Sequence, residues 1–111
     1  MTVKELESLN EFHEIINSGK AVLIDFYADW CGPCKLISPI FDKHSDNADT
    51  EGIEFYKVDV DKLADVAQEC GIRAMPTFQL YKDGQRVGDM LGAKPAELTA
   101  LVQNGVTLAK A

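Results

Sequence analysis

The stretch "AVLIDFYA" (residues 21–28) constrains this chain more than any other. It is apolar except for Asp25 and rich in β-branched and aromatic residues. Such a run reads as a strand covered on both faces, which requires a sheet with a layer packed on each side. A second run of the same kind, "IEFYKVDV" (residues 53–60), supplies a neighbour. Helical periods fill the spaces around them. One opens at Ser8, where Ser8 and Glu11 have capping-box spacing, carries Phe12, Ile15 and Ile16, and ends at Ser18-Gly19-Lys20. A second follows Cys31 and repeats through Leu36, Ile37, Ile40, Phe41 and His44; Pro39 inside it should kink the helix rather than end it. A third carries Leu63, Val66, Ala67 and Cys70, with Gly71 as its C-terminal cap. The Asp83-Gly84 turn between "TFQLYK" and "QRVGDML" marks a β-hairpin, and a final helix begins near Pro95 with Leu98, Leu101 and Val102 inward. The order α, β, α, β, α, β, β, α, with room for a short strand before Ser8, implies an α/β fold: parallel strands, helices on both faces, and an antiparallel hairpin at the edge. No linker or repeat divides the chain, so residues 1–111 are expected to form one domain.

A net charge of −7 opposes non-specific nucleic-acid binding, which needs a basic surface. No segment approaches a membrane-spanning length, and the N-terminal "MTVKELESLNEFHEI" has the pattern of neither a secretory signal nor an organelle presequence. Three cysteines cannot form a fully paired extracellular framework. The expectation is a cytoplasmic protein with no membrane and no nucleic-acid partner, in which a cysteine pair is catalytic or metal-binding.

That pair is Cys31 and Cys34, two residues apart in "DWCGPCK". The strand before and the helix after place Cys31 at a helix N-terminus, where unpaired N–H groups and the macrodipole favour a thiolate. Cys31, on the loop, should be exposed and attack; Cys34, one turn in, should be shielded and resolve. Pro33 suits the first turn of a helix. A zinc site would need about four ligands, and only Cys70, His13 and His44 remain, none in a second clustered pair. The residues favour redox cycling. Asp25 admits two readings: an acid that reaches solvent at the strand end or is buried for a hydrogen bond, or a carboxyl of raised pKa that exchanges protons with Cys34. Lys57 sits at equivalent depth in the neighbouring strand, either as its charge partner or as an ordinary solvated lysine. Pro76, at a strand start, is expected to follow a trans bond on base rates alone.

Taken together these residues resemble the thioredoxin family. The resemblance rests on Trp30-Cys31-Gly32-Pro33-Cys34-Lys35, on Asp25 six residues ahead of Cys31, on "MPTF" (residues 75–78), and on Asp83-Gly84 and Gly92 in the expected order. It spans essentially the whole chain, and local wording such as "MPTFQLYKDG" is similar to eukaryotic cytosolic members of fungal type. It implies a central mixed sheet of four to five strands flanked by four helices, and a protein-disulfide reductase. Cys31 is then the nucleophile, Cys34 the resolving thiol, Asp25 the acid/base for Cys34 and Lys57 its electrostatic partner. Pro76 becomes cis, so that the Met75 backbone can pair with a substrate strand. Trp30, Gly32, Pro33, Ile72, Ala74 and Gly92 would line an apolar docking surface.

The resemblance further implies no bound cofactor beyond the redox-active Cys31–Cys34 disulfide, with NADPH used indirectly through a thioredoxin reductase. It implies clients such as peroxiredoxins, methionine sulfoxide reductases and ribonucleotide reductase, and a monomer. Two departures stand out: Tyr27 where many members have a second Trp, and Ala74 where Gly is common. Two other readings stay open at this point. One is a disulfide oxidase or isomerase, which the Gly-Pro pair disfavours; the other is a binding subunit of a larger machine. Cys70 is expected to be a buried, inert thiol, with an exposed regulatory or dimer-forming thiol as the alternative.

Overall fold

The computed structural model describes residues 2–110; Met1 and Ala111, the two ends of the expected 1–111 domain, lie outside the described residues. The elements run β1 (Val3–Glu5), α1 (Leu9–Ile16), β2 (Ala21–Tyr27), α2 (Gly32–Asp46), a 3₁₀ turn (Ala48–Thr50), β3 (Ile53–Asp59), α3 (Ala64–Glu69), β4 (Thr77–Lys82), β5 (Gln85–Leu91) and α4 (Pro95–Lys110). The strands form one five-stranded mixed sheet in the order β1-β3-β2-β4-β5. β3 is parallel to both β1 and β2, whereas β4 is antiparallel to β2 and β5. The apolar run of residues 21–28 is thus the central strand, and every residue of β2 except Tyr27 is buried.

The hairpin forms the expected antiparallel edge. β4 lies inside the sheet against β2, and β5 alone closes that side. The reason is legible in the residues: Phe78, Gln79, Leu80 and Tyr81 are all buried, which needs cover on both faces, whereas β5 exposes Val87 and Leu91.

Strand side chains alternate between faces, so β2 feeds two cores. Ala21 and Leu23 join Ile37, Phe41, Phe55, Phe78, Leu98 and Val102 beneath α2 and α4. Val22, Ile24 and Phe26 join Phe12, Ile16, Val58 and Val66 beneath α1 and α3. Asp25 shares the parity of Leu23 and therefore points into the first layer, toward α2. α2 passes Pro39 without ending. Its buried stripe is Cys34, Ile37 and Phe41, with Ile40 and His44 half-buried. Leu36, expected on that stripe, is 76% exposed instead. It falls one residue, about 100°, off the inward line.

Local signals set the helix ends. The Glu11 backbone N–H donates to Ser8 Oγ at 3.0 Å. The reciprocal bond of the box goes one residue further out, from the Glu7 N–H to Glu11 Oε1 at 2.8 Å. Gly71 follows α3 with φ +71°, a conformation that costs glycine least. The Ser8→Ala variant should lose about 1 kcal/mol of stability, read as a lower urea midpoint with an unchanged slope.

Candidate active site

The sheet topology gathers one end of four strands. β2 and β3 run parallel, and β4 runs opposite to β2, so the C-terminal ends of β2, β3 and β5 meet the start of β4. The chain leaving β2 turns through Ala28, whose carbonyl accepts the Cys31 N–H at 3.1 Å. Cys31 then serves as the N-cap of α2 with extended backbone, φ −88° and ψ 108°. The Cys34 N–H donates to Cys31 Sγ at 3.1 Å. Sulfur here occupies the position that a Ser or Asp oxygen holds at other helix starts, where negative charge is favoured. Pro33 occupies the first turn.

Cys31 and Cys34 are joined as a disulfide, with Cα atoms 5.3 Å apart. The expectation of an exposed Cys31 over a shielded Cys34 is not met in this form: both are 4% exposed. The Cys31 sulfur lies against the first turn of the helix, and Ala28, Tyr27, Val60 and Met75 pack around the pair. Exposure falls on the neighbours instead. Trp30 is 70% exposed, with its indole N–H donating to Asp61 Oδ2 at 3.0 Å, and Gly32 and Pro33 are exposed.

The Met75–Pro76 bond is cis, not trans as base rates favoured, and Pro76 is buried. The Gly92 N–H donates to the Pro76 carbonyl at 2.9 Å, which ties the end of β5 to this loop. Gly92 has φ +100°, open to glycine and strained for other residues. Among the docking candidates, Met75 packs on the cysteine pair. Ile72 is half-buried, with part of its side chain on the core beneath α1 and α3, and Ala74 is exposed and lines a groove with Arg73, Arg86 and Leu91.

Asp25 is 3% exposed, and its Oδ1 has no hydrogen-bond partner among the described residues. It lines a cleft of about 150 Å³ with Tyr27, Cys34, Lys35, Ser38 and Lys57. Asp25 therefore neither reaches solvent at the strand end nor satisfies Oδ1 with a hydrogen bond. Burial pushes its pKa up from the usual 3.8 to about 7; the Lys57 charge pulls it down, less strongly, and Asp42 on α2 adds a further upward push. Lys57 lies directly across from Asp25 in the β2–β3 register and is half-buried, not a freely solvated lysine. Asp42 carried no sequence signal beyond its place beside Phe41 on the buried stripe.

Elsewhere, Cys70 is buried and unpaired. Burial pushes its thiol pKa up, so it favours the unreactive protonated form. Among the described residues no group of three or more His, Cys, Asp or Glu is placed to hold a metal, and no helix is long and apolar enough to cross a membrane.

A strand that ends in a helix capped by its own redox disulfide, facing a cis-proline loop, is the arrangement the sequence resemblance implied. The sequence model of thioredoxin matches residues 3–104. The chain belongs to the thioredoxin family. It is similar to the thioredoxin of Coprinus comatus, 51% identical over 104 residues, covering 94% of this chain and 98% of the relative. Among solved structures it resembles Malassezia sympodialis thioredoxin (Mala s 13) with a TM-score of 0.91 at 44% identity, covering 96% and 95% of the two chains. It also resembles oxidized mitochondrial thioredoxin 3 of Saccharomyces cerevisiae, with a TM-score of 0.85 at 41% identity, covering 92% and 94%. This is a fungal-type thioredoxin, a thiol–disulfide oxidoreductase that reduces protein disulfides. Its redox group is the Cys31–Cys34 disulfide of the chain itself, and the family implies regeneration by a thioredoxin reductase.

The burial of Asp25 has a thermodynamic sign. The unfolded chain loses the proton near 3.8, whereas the folded chain keeps it to about 7. Between those values the unfolded state binds fewer protons, so stability falls as pH rises and levels off above about 7. Asp25→Asn should be more stable than the parent by on the order of 2–4 kcal/mol at pH 8, with the gap closing toward pH 4 in urea titrations.

Proposed function

We propose that residues 1–111 act as one thioredoxin domain in which Cys31 attacks, Cys34 resolves, and Asp25 moves the proton that resolution requires. The observation that carries this reading is the buried Asp25 carboxyl, its Oδ1 without a hydrogen-bond partner among the described residues, in the same cleft as Cys34. In the reduced protein the Cys31 thiolate, held at the α2 N-terminus, attacks one sulfur of a client disulfide. The client S–S bond breaks, one client sulfur leaves as thiolate, and a mixed disulfide to Cys31 forms. Asp25, ionised near neutral pH, accepts the Cys34 proton. The Cys34 thiolate attacks the Cys31 sulfur, the second client thiolate departs, and the Cys31–Cys34 disulfide re-forms. Two electrons have passed to the client, and a thioredoxin reductase returns them from NADPH. Lys57 supplies the charge that keeps the Asp25 carboxylate within reach of neutral pH.

Clients would dock across Trp30, Gly32 and Pro33 on one loop, Ile72, Ala74, Met75 and Pro76 on the second, and Gly92 on the third, with the Met75 backbone pairing to an extended client segment. The family resemblance supports peroxiredoxins, methionine sulfoxide reductases and ribonucleotide reductase as clients. It also supports a cytoplasmic monomer with no nucleic-acid or membrane partner.

Reduction of insulin disulfides with NADPH and a competent thioredoxin reductase should proceed in the parent and stop in Cys31→Ser. Cys34→Ser should accumulate mixed disulfides through Cys31; accumulation that survives loss of Cys31 reverses the two roles. In single-turnover resolution, Asp25→Asn should slow the step by roughly 10²-fold and remove the inflection near pH 7. An inflection of unchanged midpoint in that variant would exclude Asp25 as the proton acceptor.

A further inference from the structure

The face of the sheet that carries Asp25 holds a second carboxylate whose position bears on the same lysine. Glu5 on β1, Lys57 on β3 and Asp25 on β2 stand level across three adjacent strands. Register partners in parallel strands project to the same face, and opposite charges at such positions attract. Lys57 thus has a carboxylate on either side, with Asp25 buried and Glu5 exposed. A freely mobile Glu5 would compete for the ammonium, and the competition would favour it, since an exposed carboxylate is charged without a desolvation cost.

The structure holds Glu5 elsewhere. Tyr27, two residues beyond Asp25 on the same face of β2, donates its hydroxyl to Glu5 Oε2 at 2.5 Å. β1 and β2 are separated by β3, roughly 9–10 Å between strand axes, so the tyrosine must lean across β3 to reach its partner. That lean lays the ring beneath Lys57, whose Nζ stands 5.6 Å from the ring centroid, within cation–π range.

We propose that Tyr27 and Glu5 form a clasp that positions Lys57: the hydroxyl occupies the Glu5 carboxylate, the ring supports the Lys57 ammonium, and the lysine charge is directed at Asp25. Tyr27 and Glu5 are positioning residues that act through Lys57 and touch no reacting atom. The inference rests on the proposed role of Asp25 for its catalytic consequence, but not for its electrostatics. The clasp needs both the Tyr27 hydroxyl, which phenylalanine lacks, and its ring, which a small residue lacks.

The other charged groups near Asp25 stay fixed in the comparison that tests this. Asp42 and Lys35 approach from α2 together with the Cys34 sulfur, Asp29 lies on the loop after β2, and Asp59 on β3 acts on Tyr27. The test follows the Asp25 carboxyl directly, by carbon-13 NMR pH titration of its side chain in the oxidised protein. In Tyr27→Phe the ring stays and Glu5 is released toward Lys57. The Asp25 midpoint should then rise by about half a unit. In the double variant Tyr27→Phe/Glu5→Gln the competing charge is gone, and the midpoint should return to the parent value or below it. A midpoint unmoved by Tyr27→Phe, or a rise that persists in the double variant, overturns the clasp. Failure of the Asp25 role is a separate result, read in the kinetics of Asp25→Asn, and leaves this titration valid.

Discussion

β2 has helices over both faces and strands along both edges, so nearly all of its side chains are withheld from water. Five of those residues are apolar and build the two cores. The sixth buried position beyond them, Asp25, meets the same exclusion of water with a group that resists it. The strand cannot turn Asp25 outward without moving Leu23 and Phe26 to the wrong faces, because strand side chains alternate with a period of two. The cores of the domain therefore fix the carboxyl in place, and its raised pKa is a consequence of the packing that makes the fold stable.

The same strand ends where the redox helix begins. That junction gives Cys31 the capping role at α2 and puts Cys34 on the inward stripe, above the layer into which Asp25 points. The antiparallel pairing of β4 with β2 brings the start of β4, with its cis Met75–Pro76 bond, to the same end of the sheet. Gly92 completes the assembly from the end of β5 through its bond to Pro76. Three segments distant in sequence thus form one surface because of strand direction. Charge follows the same logic: Glu5, Lys57 and Asp25 interact because three strands are in register, and Tyr27 can reach across only because β3 lies between its own strand and β1.

Much of the chain could be read from local rules. The apolar run, the capping serine, the Asp-Gly turn and the helical stripes are short-range patterns whose physical causes lie within a few residues, and the elements formed where those patterns stand. The misread positions share one character. Leu36 is apolar yet points outward, because helical phase is decided by which face meets the sheet. Cys31 is covered, because Ala28, Tyr27, Val60 and Met75 from several segments pack around the disulfide.

The sequence by itself determined the fold class, the place of the redox pair between a strand and a helix, and Asp25 as the one polar residue in a buried run. These depend on periodicity and on residue chemistry along a short stretch. Only the tertiary structure decided the state of Asp25, the cis bond before Pro76, the influence of Asp42, and the clasp of Tyr27 with Glu5 around Lys57. Each of these depends on desolvation or on contacts between strands and helices distant in sequence, and neither is fixed until the sheet has its order and register.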